Sequence, residues 1–146
     1  MDLQNAVLVA AHPDDEILWF SSIFDACKRV VVCYGASATA DESWDSGRAR
    51  LMDEYPIAKV EFLKVRQSGG FDSADWYRPE EAESGLRLHG RGATAYENNA
   101  EHLLQILGSD LAQESVVITH NPWGEYGHEE HVQVFRVLQR LQKQIG

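Results

Sequence analysis

Four short runs of apolar residues alternate with longer stretches in which apolar residues recur every three or four positions. Each run is continuous and mostly rich in β-branched residues, which is typical of strands buried on both faces of a parallel sheet. The predicted strands are residues 6–11 (AVLVAA), 29–35 (RVVVCYG), 60–65 (VEFLKV) and 115–120 (SVVITH). The helical spacing predicts helices over about residues 14–27, 46–55, 94–107 and 129–144.

This alternation predicts an α/β fold: a three-layer, Rossmann-like, doubly wound and mostly parallel sheet. We expect the strand order 3-2-1-4, in which the first and fourth strands are neighbours. A chain of 146 residues can bury a core of its own, so a single compact domain over residues 1–146 is predicted.

Residues 66–92 show no sustained period and contain glycine, proline, serine and several aromatic residues. A loop of this length in a compact domain is usually either a functional flap or a disordered insert. We therefore expect a flap that borders the cleft, with Phe71, Asp72, Trp76 and Tyr77 as candidate flap residues and no role assigned to any of them.

The charge and composition of the chain exclude several classes of partner. A net charge of −10 argues against a nucleic-acid backbone or an anionic membrane surface, because both require a basic face. The early apolar run is too short for membrane insertion, and Asp2 stands where a signal peptide would be basic. Cys27 and Cys33 have neither metal-site nor redox spacing, so we interpret both as small buried or half-buried residues in a reducing compartment. We expect a cytoplasmic protein.

The stretch AAHPDDE, residues 10–16, places one histidine and three acids directly after the first predicted strand. A structural interpretation is that Asp14, Asp15 and Glu16 stabilise the start of the next helix. That interpretation leaves His12 unexplained.

A second unusual stretch, THNPWGEYGHEEHVQVF at residues 119–135, follows the last predicted strand. His128 and His131 lie three residues apart and share one helix face, which by itself most often means a solvated surface. Ligands of doubly wound sheets bind at the carboxyl ends of the strands, where both stretches begin. Two imidazoles and a carboxylate are typical of a divalent metal site with open positions for water. The spacing does not say which aspartate or which of these histidines is a ligand.

AHPDDE followed by GHEEH resembles the PIG-L/LmbE family of zinc-dependent de-N-acetylases, which carries an A-H-P-D-D-E start and a later G-H-x-x-H segment. The resemblance spans residues 6 to about 136. It implies Zn²⁺ as the cofactor, with Fe²⁺, Co²⁺ or Ni²⁺ as alternatives. The implied metal ligands are His12, Asp15 and His131.

The resemblance also implies the chemistry. Asp14 would be the general base for attack by a zinc-bound water, and His128 would face the developing charge together with Tyr126. The substrate would be an N-acetylated sugar or sugar conjugate that loses its acetyl group. The candidate substrate-binding residues are Arg48, Arg50, His120, Asn121 and Trp123.

Two other functions use the same residues. A metal and a carboxylate base can also serve a hydro-lyase acting on a small unsaturated acid, and a non-catalytic binding module needs only the ligands. Many members of the family continue beyond the G-H-x-x-H helix, whereas this sequence stops at Gly146. We therefore expect either a more open cleft or its completion by a partner chain, as in a homo-oligomer.

Overall fold

The computed structural model describes residues 2–37 and 42–145. The chain divides into two compact units: Met1–Arg66 with Glu114–Thr119, and Gln67–Gln113 with His120–Gly146. The single domain over residues 1–146 stays a prediction.

Six strands, six α-helices and one short 3-10 helix (Leu3–Asn5) make up the regular structure of the described residues. The strands are β1 (Val7–Ala10), β2 (Arg29–Tyr34), β3 (Val60–Val65), β4 (Glu81–Ala82), β5 (Gly85–Leu86) and β6 (Val117–Thr119). The helices are α1 (Asp15–Leu18), α2 (Ser21–Phe24), α3 (Glu42–Asp53), α4 (Ala93–Asp110), α5 (Gly124–Gly127) and α6 (Glu129–Ile145).

The first unit contains a parallel sheet in the order β3-β2-β1-β6. The predicted α/β class, parallel sheet and strand order are confirmed; the fourth predicted strand is β6 because two short strands precede it in the chain. Val9 pairs with Val31 on one side and with Thr119 on the other. The carboxyl ends of β1 and β6 are therefore neighbours, and each of the two histidine-containing stretches starts at one of these ends.

The continuous apolar runs are explained by the position of each strand. All of β1 and nearly all of β2 are buried in the middle of the sheet, whereas β3 and β6 lie at its edges and are partly exposed. Leu8, Val30 and Val32 pack with Phe20 and Phe24 in the core of this unit. A strand buried on both faces has no polar side, so its sequence does not alternate.

The helix predicted over residues 14–27 is wrong, because two one-turn helices, α1 and α2, occupy this segment. Phe20 interrupts it with φ −121° and ψ 11°. With this backbone conformation the Phe20 ring is buried in the core, whereas the neighbouring Trp19 is 41% exposed. The other three predicted helices are present with shifted ends, as α3, α4 and α6.

In the second unit, α4 packs on α6. Leu103 and Leu107 of α4 and Val134 and Val137 of α6 are fully buried. The helices approach closely at Gly108, where an added Cβ would lie 3.1 Å from Leu141. Gly108 belongs to the last turn of α4, and a larger side chain there would push against Leu141.

Residues 66–92 also belong mainly to the second unit, and they contain more structure than the sequence suggests. β4 and β5 pair antiparallel, and Ala74 forms an isolated bridge with Leu88. Leu86 and Leu88 are buried with Tyr96 and Val132. The segment is therefore not a disordered insert, while its role as a flap stays a prediction.

Within the described part of the chain, no helix has the length and apolar character needed to cross a bilayer. Cys27 and Cys33 are both buried free thiols, which agrees with their interpretation as small core residues.

Candidate active site

In the first unit, Asp15 and His12 fix each other immediately after β1. Asp15 Oδ2 accepts a hydrogen bond from the His12 backbone N–H at 2.7 Å and lies 3.3 Å from His12 Nδ1. Both side chains are buried, and the His12 ring stacks on Tyr34 with centroids 5.5 Å apart. Imidazole and carboxylate are therefore held at the carboxyl end of the strand by local contacts.

Asp14 has a strained backbone, with φ 117° and ψ −27°. Its side chain is exposed and makes no capping hydrogen bond, although Asp14 occupies the N-cap position of α1. The stabilising acid is Glu16, which accepts the Asp14 N–H at 3.0 Å and the Tyr55 hydroxyl at 2.5 Å. Of the acids in this motif, Glu16 therefore stabilises the start of α1 and Asp14 does not. The Asp14 carboxylate is left available for chemistry.

The electrostatic surroundings make Asp14 more basic. Desolvation raises the pKa of the Asp14 carboxyl above its usual value, and the charge of Asp15 adds to this rise. His12 and Arg48 act in the opposite direction without cancelling it. A carboxylate with a raised pKa is a better proton acceptor at neutral pH than an ordinary aspartate.

In the second unit, Glu125 joins two histidines. Its Oε2 lies 2.8 Å from His120 Nδ1 and 2.6 Å from His131 Nδ1, and its Oε1 accepts the Asn121 N–H at 3.0 Å. The two imidazole rings stack with centroids 4.0 Å apart. Burial alone would raise the pKa of the Glu125 carboxyl, but hydrogen bonds from His120, His131 and Asn121 outweigh it and lower the pKa to about 2.

An ionised Glu125 sets the tautomer of both rings. A carboxylate can only accept hydrogen bonds, so the Nδ1–H of each imidazole donates to Glu125. In a neutral ring, Nε2 then carries no proton and can bind another partner through its lone pair. A carboxylate that orients an imidazole in this way is common behind metal-binding histidines. Glu125 was not predicted from the sequence, although its position between His120 and His131 in the chain was a usable signal.

His128 differs from these two histidines in its hydrogen bonding. Its Nδ1 accepts the backbone N–H of Glu130 at 3.2 Å, so in the neutral ring Nε2 carries the proton. The ring stacks on His131 with centroids 4.6 Å apart, and Tyr126 meets it edge-on at 6.0 Å. His128 can therefore donate a hydrogen bond from Nε2, which is what a residue facing a developing oxyanion needs.

The remaining predicted residues have varied surroundings. Arg50 pairs with Glu54 at 3.2 Å on an exposed face of α3, whereas Arg48 donates to the Gly35 carbonyl at 3.1 Å. Asn121 Oδ1 accepts the Trp123 N–H at 2.8 Å and so shapes the loop before α5. The Trp123 side chain is 64% exposed. None of these contacts tests substrate binding, so all five substrate-binding assignments stay predictions.

The described residues include donors suited to a divalent metal in both units: His12 and Asp15 in the first, and His120, His128 and His131 in the second. Imidazole nitrogen with carboxylate oxygen is the donor chemistry of zinc and related ions. The anchoring of His12 by Asp15 and of His131 by Glu125 fits this use, because ligating side chains are usually oriented by such hydrogen bonds.

Residues 7–141 match the model of the PIG-L family, described as GlcNAc-PI de-N-acetylase. No curated protein and no solved structure matches the chain.

Proposed function

The chain belongs to the PIG-L family, and from this membership we propose that it is a metal-dependent hydrolase that removes the acetyl group from an N-acetylated sugar or sugar conjugate. The family supports the reaction class, namely de-N-acetylation of an amino sugar.

The observation that carries the proposal is the exposed, strained Asp14 beside the mutually fixed His12 and Asp15. Asp14 is exposed as a residue and its side chain does not cap α1, while partial desolvation of the carboxyl raises its pKa. Backbone strain of this kind costs on the order of 1 to 3 kcal/mol and persists where function requires a particular side-chain position. A binding module would need the two fixed donors but not this third carboxylate.

The proposed metal ligands are His12, Asp15 and His131, carried over from the two motifs of the family. What a divalent metal supplies when it is bound there is Lewis acidity, which lowers the pKa of water and polarises an amide carbonyl. Zinc is the proposed ion, and Fe²⁺, Co²⁺ and Ni²⁺ remain alternatives.

Asp14 is the proposed general base and acid. Its carboxylate accepts a proton from the attacking water and later returns it to the departing sugar amine. The His128 Nε2–H donates to the oxyanion of the tetrahedral intermediate, and the Tyr126 hydroxyl is proposed as a second donor. The His128 tautomer set by the Glu130 N–H supports this assignment.

The test is an assay for acetate and free amine with purified protein loaded with zinc. The substrates should cover N-acetylglucosamine, N-acetylglucosaminyl lipids and N-acetylated glycosides. Release of acetate and amine in equal amounts, abolished by a chelator and restored by zinc, supports the proposal. Addition of water to an unsaturated acid without acetate release would point instead to a hydro-lyase.

A further inference from the structure

Two buried glutamates stand between the histidines of the second motif. Glu129 and Glu130 are 0% and 4% exposed. Glu129 Oε1 accepts the backbone N–H groups of Ser73 at 2.9 Å and Ala74 at 3.0 Å, and its Oε2 accepts that of Asp72 at 3.1 Å. One carboxylate therefore binds three consecutive amides of a segment more than 50 positions away in the chain.

Glu130 binds the start of the same segment. Its Oε1 accepts the backbone N–H of Ser68 at 2.7 Å and the Ser68 hydroxyl at 2.8 Å. Residues 68–74, hereafter the anchored loop, are thus attached at both ends to the first turn of α6.

Steric packing fixes the anchored loop further. A Cβ added to Gly70 would lie 2.6 Å from the Leu88 side chain, so the backbone there approaches its neighbour closely. Asp72 has φ 57°, a conformation that non-glycine residues rarely adopt. Such strain persists only where the surroundings determine the backbone, as the Glu129 hydrogen bonds do here.

Phe71 lies in the middle of this fixed loop and directs its ring to His128. The ring centroids are 4.8 Å apart and the planes are tilted by 42°. Despite this contact the Phe71 side chain is 60% exposed. Tyr126, also 61% exposed, meets the same His128 ring edge-on. An aromatic ring that is held by its backbone and left open to solvent beside a proposed catalytic histidine is suited to a ligand.

We propose that Phe71 packs against the apolar face of the sugar ring of the substrate and so selects acetylated sugars over other acetamides. This inference rests on the proposed function, because it takes His128 as the residue beside the reacting amide. Phe71 has no hydrogen-bonding group in its side chain, so its contact is with ring C–H groups. Because the anchored loop is already ordered, little conformational freedom is lost on binding.

The experiment compares zinc-loaded wild-type protein with Phe71→Ala and Phe71→Tyr. The matched control is Tyr77→Ala, which removes an aromatic side chain that is 100% exposed in the neighbouring segment. The substrates are N-acetylglucosamine and N-acetylethanolamine, which carries the same acetamide without a ring. KM and kcat are measured by acetate release, and Kd for N-acetylglucosamine by titration calorimetry.

We expect Phe71→Ala to raise KM and Kd for N-acetylglucosamine about three- to tenfold and to leave kcat within about twofold. KM for N-acetylethanolamine should not change, and Phe71→Tyr and Tyr77→Ala should resemble wild type. An unchanged Kd for N-acetylglucosamine in Phe71→Ala, an equal loss for both substrates, or no binding of N-acetylglucosamine to wild type would overturn the inference.

Failure of the proposed function has a different signature. If no acetate is released from either compound, the proposed hydrolysis fails. A Kd for N-acetylglucosamine that still rises in Phe71→Ala and not in Tyr77→Ala would then support the ring contact by itself.

Discussion

The two motifs both contain runs of acids next to histidines, but they use their buried carboxylates differently. In the first, Asp15 and Glu16 accept hydrogen bonds from the backbone of their own motif, at His12 and Asp14. In the second, Glu129 accepts from residues more than 50 positions away in the chain. The first motif is organised locally, whereas the second also organises a distant loop.

Each motif also contains one acid with a different use. Asp14 is exposed and free of capping contacts, and Glu125 is held by two imidazoles. Acids that look alike in the sequence therefore fall into three groups: backbone acceptors, a histidine-orienting carboxylate and an exposed carboxylate. The distinction predicts effects of different kind and size.

The largest effect is expected at Asp14 and Asp15. Asp14→Asn keeps the shape of the side chain but cannot accept a proton, so kcat should fall about 10²- to 10⁴-fold while the zinc content stays at the wild-type level. Asp15→Asn removes an anionic donor and should lose both zinc and activity. Metal analysis and kcat of the two variants are measured together; near-normal kcat in Asp14→Asn would contradict the assignment of the base.

The next effect tests Glu125. The neutral amide of Glu125→Gln cannot accept hydrogen bonds from both imidazoles as the carboxylate does. The zinc affinity should therefore fall about 10- to 100-fold. Competition with a chromogenic zinc chelator measures the affinity, and Glu97→Gln on the exposed face of α4 is the control. Unchanged affinity in Glu125→Gln would show that the carboxylate does not orient a ligand.

A stability effect is expected at Glu129. Glu129→Gln replaces one accepting oxygen with an amide that faces N–H donors, which should lower the free energy of unfolding by about 1 to 3 kcal/mol. Hydrogen exchange of the Asp72, Ser73 and Ala74 amides should accelerate more than exchange in β1. Equal acceleration in both regions would mean that Glu129 stabilises the fold without fixing the anchored loop.

The smallest effect is expected at Arg50. Its ion pair with Glu54 is exposed, and such pairs contribute about 0 to 1 kcal/mol. Arg50→Gln should leave the unfolding midpoint in urea and KM for N-acetylglucosamine nearly unchanged. A clear rise in KM would instead restore Arg50 as a substrate contact, and Arg48→Gln provides the comparison within the same helix.

Much of the fold could be predicted from the sequence. Four continuous apolar runs predicted the parallel strands, because burial on both faces leaves no polar alternation. The break in the helix predicted over residues 14–27 could not be foreseen. It occurs at Phe20, whose ring packs in the core, and the spacing of apolar residues along the chain does not reveal such a tertiary contact. The short strands β4 and β5 were missed for a different reason: a strand of two residues is too short to show a period.

The sequence by itself determined the parallel strands, through its continuous apolar runs, and the family, because its two motifs carry their residue types at fixed short spacings. Only the tertiary structure decided what each acid does. Glu16 rather than Asp14 holds the start of α1, Glu125 orients His120 and His131, and Glu129 binds the anchored loop. The carboxylate group is chemically the same in all of these roles. Its role depends on which hydrogen-bond donors the fold places around it.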